Sequence, residues 1–143
     1  MSNMDVSTVI CVQNDLPIIL LSTLEVNSFI KGYHEYKEEW IPHIGEILAV
    51  EREPDNMTDR YAVAIKKSGR VVGHLKKGTS GRFAKIASFF LNNRFCSCTA
   101  VVNRSPVNLG DGEGMQVDCT LRFVGKDAYI SILRQQYENI HEL

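Results

Sequence analysis

The chain has 143 residues, of which 44% are hydrophobic and 23% are charged, and its formal net charge is −1. This length has room for one domain with a substantial core, and the composition is that of an ordinary globular protein. The balanced charge argues against a strongly basic protein that coats nucleic acid, although it leaves room for a local basic patch.

The four cysteines are not spaced like the ligands of a metal. On a strand, the thiols of Cys96 and Cys98 face the same side, which suits packing better than zinc binding. We expect free, reduced thiols and neither a metal nor a cofactor; a disulfide or a metal site is the alternative for Cys11, Cys96, Cys98 and Cys119. Reduced thiols and the lack of a basic signal-peptide start predict an intracellular protein, nuclear or cytoplasmic. The longest apolar run, Leu16–Leu21, is too short to span a membrane, so we expect no membrane partner.

The N-terminal residues leave two alternatives open. Val6–Val12 and Pro17–Leu21 have the composition of strands and are separated by the polar turn 13–15. They form either an added strand pair that packs on the domain or a partly ordered lead-in. Phe29–Tyr36 then predicts a strand with aromatic character. The predicted organisation is an N-terminal extension of uncertain structure, residues 1–28, followed by one domain, residues 29–143.

Three short strands and their turns follow in the central part of the chain. Glu46–Arg52 predicts the first strand, which Pro54 ends because proline has no N–H to donate. Tyr61–Lys66 and Arg70–Leu75 predict the second and third strands, and Ser68-Gly69 between them is typical of a tight hairpin turn.

The C-terminal half predicts two helices and further strands. Gly78-Thr79-Ser80 indicates a helix start, with Thr79 or Ser80 as the N-cap, and an apolar stripe follows at helical spacing: Phe83, Ile86, Ala87 and Phe90. Arg94–Val102 and the cleanly alternating Met115–Val124 predict strands; Gly125 breaks the second, and Asp127 can cap a closing helix. Five or more short strands with two helices predict a small antiparallel barrel, closed or nearly closed, with a flat α+β sandwich as the alternative.

The turn between the first two central strands carries a family resemblance. The segment Arg52-Glu53-Pro54-Asp55-Asn56, continued by Asp59 and Ala62-Val63 and then by Val71-Val72-Gly73-His74-Leu75-Lys76-Lys77, resembles the HIRAN domain. The resemblance extends from about Phe29 to the C terminus. It implies a fold that is mainly β with two helices, a small antiparallel β-barrel of the OB-like or SH3-like kind.

The resemblance also implies a function and a set of site residues. It implies a non-catalytic module that binds single-stranded DNA, prefers a free 3′-hydroxyl end and serves DNA repair in the nucleus; RNA is the alternative nucleic acid. Carried over by position, Asp55, Asn56 and Asp59 would hold the strand end, Tyr36 and Phe123 would stack on bases, and His74 and Lys77 would contact phosphate or base edges. The best-studied member has an arginine and a tyrosine where this chain has His34 and Glu35, so His34 is the candidate, as a weaker cation, for that phosphate contact; the same member has a tyrosine where this chain has Thr58.

The same residues also have a structural interpretation. Asp55, Asn56 and Asp59 can close the turn by bonding to their own backbone, and Phe123 lies on the apolar side of its strand. No catalytic motif is present, so we expect no enzyme. The alternative function, from a different class, is a protein-interaction or adaptor module on the same barrel that binds its partner by β-augmentation.

The charges of the central region are divided along the chain. Glu35 to Asp59 contains eight acids and two bases, whereas Lys66 to Lys85 contains seven bases and no acid. Such a basic run is either a solvated surface or a groove that follows a nucleic-acid backbone. The sharp change of sign predicts two flanks of opposite potential.

Overall fold

The computed structural model describes residues 4–11, 19–38 and 40–140. In this part of the chain the strands are β1 Met4–Cys11, β2 Ile19–Lys31, β3 Ile47–Arg52, β4 Val63–Lys67, β5 Arg70–Leu75, β6 Ser97–Val102, β7 Val107–Asn108 and β8 Met115–Lys126. The helices are α1 Tyr33–Tyr36, α2 Arg82–Leu91 and α3 Asp127–Ile140, and a 3₁₀ turn, Thr79–Gly81, precedes α2. None of the described helices is both long enough and apolar enough to cross a membrane.

Six of the strands close an antiparallel barrel. Their order is β2-β5-β4-β3-β6-β8, and β8 returns to pair with β2 from Leu21 opposite Lys126 to Ile30 opposite Val117. Closure pairs both edges of each barrel strand, which removes the exposed edges that an open sheet would have. The predicted fold class is therefore confirmed, and the flat sandwich is excluded.

Two of the described strands lie outside the closed barrel. β1 pairs with the first half of β2, from Met4 opposite Val26 to Cys11 opposite Ile19, and the short β7 pairs with the start of β8. Of the two alternatives for residues 1–28, the structure has the strand pair, while the turn predicted at 13–15 lies outside the described residues. The predicted boundary after residue 28 falls within β2, and a separate role for residues 1–28 stays a prediction.

The barrel core follows from the alternation of β8. Val117, Cys119, Leu121 and Phe123 are all completely buried, because alternate side chains of a strand point to the same face. The helices α2 and α3 pack on one another beside this core. The rings of Phe83 and Tyr137 stack with their centroids 4.6 Å apart. The Tyr137 hydroxyl donates to the Phe83 carbonyl at 3.1 Å.

The strand predicted over Phe29–Tyr36 is the end of β2 in the structure, and it stops earlier than predicted. It ends at Lys31, because Gly32 adopts the left-handed φ of +77° and turns the chain into α1. The change places Tyr36 on a helical turn beside β5 rather than on the barrel wall.

Two further boundaries differ from the predictions. The helix predicted to have Thr79 or Ser80 as its N-cap begins at Arg82, and the residue at its N-cap position is Gly81, with φ +69°. Gly125 does not break the last strand, which continues to Lys126. A Cβ at Gly125 would lie 2.7 Å from the Cys96 sulfur, so a glycine at this position allows Cys96 to pack closely against the strand.

Candidate nucleic-acid interface

The turn between β3 and β4 is held together by its own side chains. Asn56 Oδ1 accepts hydrogen bonds from the backbone N–H groups of Thr58 at 2.9 Å and Asp59 at 3.0 Å. Asp59 Oδ1 accepts one from the N–H of Tyr61 at 2.9 Å. These bonds are the short-range turn bonds that asparagine and aspartate favour. They occupy one oxygen of each side chain and fix the direction of the other polar atoms.

His74 joins this turn to the barrel. In the β4–β5 pair, His74 lies opposite Ala64, and its Nε2 is 2.7 Å from Glu53 Oε1. Asn56 Nδ2 donates to the same carboxylate oxygen at 3.2 Å. The ring of Tyr36 lies next to the imidazole, with 6.5 Å between their centroids.

Lys77 completes the group at the other end of the turn. Its Nζ is 3.4 Å from Asp59 Oδ2, and its side chain is 56% exposed, so it is free to exchange this partner for another anion. We call the connected set the polar cluster; it consists of Tyr36, Glu53, Asn56, Asp59, His74 and Lys77. The cluster combines hydrogen-bond acceptors, two basic side chains and an aromatic ring on one surface.

Two further predicted site residues, Asp55 and His34, are not members of this cluster. Asp55 is exposed on the same turn, and His34 is exposed on α1. A Cβ at Gly114 would lie 3.5 Å from Nδ1 of His34, so this imidazole lies near the loop that precedes β8. Both side chains are therefore accessible from solvent.

Phe123 is not brought to this surface. Its side chain is completely buried, with its ring centroid 5.4 Å from that of Phe90 and 5.9 Å from that of Tyr137. A ring that is enclosed in the core offers no face to a base, so the structure does not support the predicted pairing with Tyr36. The apolar side of β8 dictates this position, as the alternation of that strand indicates.

Sequence reasoning missed Glu53 as a member of the site. Glu53 is part of the motif, but only the fold shows that its Oε1 accepts a hydrogen bond from Asn56 and lies at hydrogen-bond distance from His74 Nε2. The signal available in the sequence was its position directly before Pro54, where the strand must end and the side chain can turn toward the loop.

A groove of about 690 Å³ adjoins the polar cluster at Lys77. We call it the lysine groove; among its lining residues are Phe29, Lys31, Lys76, Lys77, Asp111 and Glu113. Lys31 pairs with Glu113 at 3.1 Å, and Lys76 lies over the Phe29 ring, 5.5 Å from its centroid. Hydrogen bonds from the Gln116 amide and from a backbone N–H hold the pKa of Asp111 below its usual value. The groove therefore carries both signs of charge.

The predicted separation of acidic and basic flanks does not occur. Antiparallel pairing of β3 with β4 brings the two charge runs together, so that Lys66 lies 3.3 Å from Glu51. Lys67 and Glu46 approach to 2.8 Å in the same way. Each of these basic side chains has a carboxylate neighbour, so the run does not form one continuous positive surface.

Comparisons with known proteins agree with this architecture. A family model of the HIRAN domain matches residues 25–124. The crystal structure of the HIRAN domain of human HLTF is similar, with a TM-score of 0.62 and 21% identity over 80% of this chain and 87% of that chain. An NMR structure of the HLTF HIRAN domain has a TM-score of 0.58 and 21% identity over 80% and 86% of the two chains.

A further NMR structure, of the HLTF HIRAN domain in its DNA-bound conformation, has a TM-score of 0.57 and 20% identity over 80% of this chain and 86% of that chain. No curated protein sequence matches this chain. The structural likeness shows a shared OB-like barrel. Because the family model covers most of the barrel, from within β2 to near the end of β8, this chain belongs to the HIRAN domain family.

Proposed function

We propose that this chain is a non-catalytic nucleic-acid-binding module that holds single-stranded DNA by a free 3′-hydroxyl end. The observation that carries the proposal is the polar cluster, in which Asn56 and Asp59 lie on one surface with His74, Lys77 and Tyr36. Membership of the HIRAN family supports it, as does the existence of a DNA-bound conformation of the human HLTF domain.

The acceptors of the cluster suit a strand end rather than its interior. A carboxylate such as that of Asp59 repels the phosphates of a continuous strand, whereas a terminal hydroxyl can donate a hydrogen bond to it. When Lys77 turns from Asp59 to the last phosphate, the aspartate oxygen becomes available for the hydroxyl. His74, oriented by Glu53, is a second contact to phosphate or to a base edge.

Aromatic and basic side chains would hold the rest of the strand end. Tyr36 offers a ring for the terminal base, because stacking on aromatic rings is how such barrels hold single strands. The lysine groove continues from Lys77 to Lys76 and Lys31, along the path that the preceding phosphates would follow. His34 and Asp55 would lie at the edge of this contact.

Titration of the protein with a free oligonucleotide and a matched 3′-phosphorylated one tests the proposal. The free end should bind about tenfold more tightly, since the added phosphate removes the donor and brings charge to Asp59. Asp59→Asn should abolish this preference, while its amide oxygen can still accept the Tyr61 N–H and preserve the turn. Asp118→Asn is the control, because this carboxylate accepts a hydrogen bond from Asn103 and belongs neither to the polar cluster nor to the lining of the lysine groove.

Two results would contradict the proposal. One is the absence of binding to either oligonucleotide below about millimolar concentration. The other is an equal loss of affinity for free and blocked ends in Asp59→Asn, which would assign the aspartate a purely structural role. The same titration with RNA of equal sequence decides between the two sugars.

A protein-interaction module is the second candidate, and the position of β1 favours it. β1 pairs only with β2 among the described strands, so its other edge is open to β-augmentation by a partner segment. Binding of this kind should not depend on the 3′-hydroxyl and should change little with salt, whereas binding to DNA weakens steeply as salt rises.

A further inference from the structure

A second, smaller groove lies between the β3–β4 turn and α2. Its volume is about 290 Å³, and it shares no lining residue with the polar cluster or the lysine groove. We call it the arginine groove; it is lined by Arg52, Pro54, Arg60, Tyr61, Ser88, Phe89 and Asn92. None of the residues predicted from the sequence as a binding site lines it.

The cations in and beside the arginine groove have no carboxylate partner among the residues that the structure describes. Arg60 lies over the Tyr61 ring, 4.9 Å from its centroid, and donates to the Tyr61 hydroxyl at 2.9 Å. Lys85 lies 4.8 Å from the same centroid. Arg52 donates to Asn92 Oδ1 at 2.6 Å, and its buried Nε has no hydrogen-bond partner in the described part of the chain.

No ion pair between described residues involves these three cations, whereas Lys66, Lys67 and Lys77 each pair with a carboxylate. Their positive charge is therefore not neutralised within this part of the protein. Uncompensated cations around a groove attract an anionic ligand.

An exposed aromatic ring lies beside these cations. Phe89 is 52% exposed, although its neighbours Ser88 and Phe90 are buried. Its ring centroid is 5.4 Å from that of Tyr61 and 5.9 Å from the Lys85 ammonium. An accessible ring next to several cations is the combination that binds single-stranded nucleic acid, because the base stacks while the phosphate is neutralised.

We propose that the arginine groove binds a nucleotide of the same strand whose 3′ end occupies the polar cluster. The base stacks on Phe89, and its phosphate contacts Arg60 and Lys85. The two sites are neighbours along the chain, because Asp59 of the cluster is followed directly by Arg60 and Tyr61, which line the groove. The inference rests on the proposed function and extends it from the terminal nucleotides to a more distant one.

Two oligonucleotides with the same free 3′ end, about 4 and about 12 nucleotides long, test the inference on the full chain. The longer one should bind more tightly. Phe89→Ala should weaken the binding of the longer oligonucleotide about tenfold and leave that of the shorter one unchanged, since only the longer strand reaches the ring. Arg60→Gln should reduce the salt dependence of the longer oligonucleotide, lowering the log–log slope by about 0.7.

Phe95→Ala is the matched control. Phe95 is 53% exposed and also lies beside two cations, Arg94 and Lys126, but it does not line the arginine groove. The Phe95→Ala variant should bind both oligonucleotides with the affinity of the unmodified protein. Photocrosslinking is a direct measurement that needs no variant. The longer DNA strand, carrying 5-iodo-2′-deoxyuridine, should label the tryptic peptides that contain Tyr61 and Phe89.

The outcomes separate the two proposals. If both oligonucleotides bind with equal affinity, or if Phe95→Ala matches Phe89→Ala, the arginine groove is not a nucleotide site, and the proposed 3′-end function is unaffected. Crosslinks that avoid both peptides overturn the inference as well. Binding of a phosphorylated peptide that depends on Phe89, without a length effect for DNA, would assign the groove to a protein ligand. If neither oligonucleotide binds, the proposed function fails, and this inference fails with it.

Discussion

Glu46 shows how one side chain can hold a loop on the barrel. Its Oε1 accepts hydrogen bonds from the Trp40 indole at 3.0 Å and from the His43 N–H at 3.2 Å, while Oε2 lies 2.8 Å from Lys67 Nζ. Burial raises the pKa of Glu46, but the bonds from Lys67, Trp40 and His43 outweigh it and leave the pKa below the usual 4.5. The bond also satisfies the indole N–H of Trp40, a residue that is only 1% exposed.

Glu46→Gln should therefore lower the free energy of unfolding by about 1–2 kcal/mol at neutral pH, since an amide accepts these bonds less strongly than a carboxylate. A lowered folded-state pKa stabilises the protein above the usual value of 4.5, and this contribution is lost as the pH falls through the folded-state pKa. Urea unfolding of both proteins should thus show a difference at neutral pH that disappears in acid.

The exposed pair of Arg134 and Glu138 supplies the control for this measurement. Their side chains are 56% and 48% exposed and lie 2.9 Å apart, so Glu138→Gln should change stability by less than about 0.5 kcal/mol. A difference between Glu46→Gln and the unmodified protein that is the same at every pH would show that the carboxylate charge is not what stabilises the loop.

Among the elements, β5 approaches β2 closely at one glycine. A Cβ at Gly73 would lie 2.5 Å from Cγ2 of Ile30 and 2.9 Å from the carbonyl oxygen of Lys31. The β2–β5 pair is short, Ile30 opposite Leu75 and Lys31 opposite His74, yet it closes the barrel. The absence of a side chain at position 73 is what lets the two strands meet.

Gly73→Ala should therefore destabilise the protein by about 1–3 kcal/mol, because the added methyl group meets backbone that cannot rotate away. Gly125→Ala is the comparison, since its nearest neighbour is the side chain of Cys96, 2.7 Å away, which can move. Thermal or urea unfolding should rank Gly73→Ala as the larger loss. The reverse order would show that β2 and β5 can separate without loss of stability.

At the scale of the whole molecule, the barrel encloses two thiols. Cys98 is 5% exposed and Cys119 is completely buried, and neither forms a disulfide. Burial raises the pKa of both thiols. The nearby Cys119 raises the pKa of Cys98 further, and Asp118 raises the pKa of Cys119 further. Because the thiolate is the reactive form, both should be inert in the folded protein.

Peptide mapping after iodoacetamide treatment at neutral pH should find Cys98 and Cys119 unmodified in the native protein and modified in urea. A raised folded-state pKa gives stability that is present below the ordinary thiol pKa, 9.0, and is lost as the pH rises above it. The free energy of unfolding should therefore fall in alkaline solution. Rapid labelling of either thiol at neutral pH would contradict a closed barrel.

Much of the secondary structure could be predicted because its causes are local. The alternation of Met115–Val124 and the chemistry of Asn56 and Asp59 depend on neighbours a few residues away, and the structure contains the strand and the turn bonds that they predict. The burial of Trp40 is different, because Trp40 lies in a charged segment, 37–42, whose local sequence leaves the position of the ring open. Its burial depends on Glu46 and on packing against Tyr33, which the sequence order alone does not reveal.

The amino-acid sequence by itself determined the strands, the turn and the family, because side-chain periodicity, turn chemistry and a motif are all properties of short segments. Only the tertiary structure decided which of these residues share a surface. The register of the closed barrel brings Glu53 to His74, 21 positions along the chain, and encloses Phe123 in the core. Strand order and register are set by the packing of the whole barrel, so no single segment encodes them.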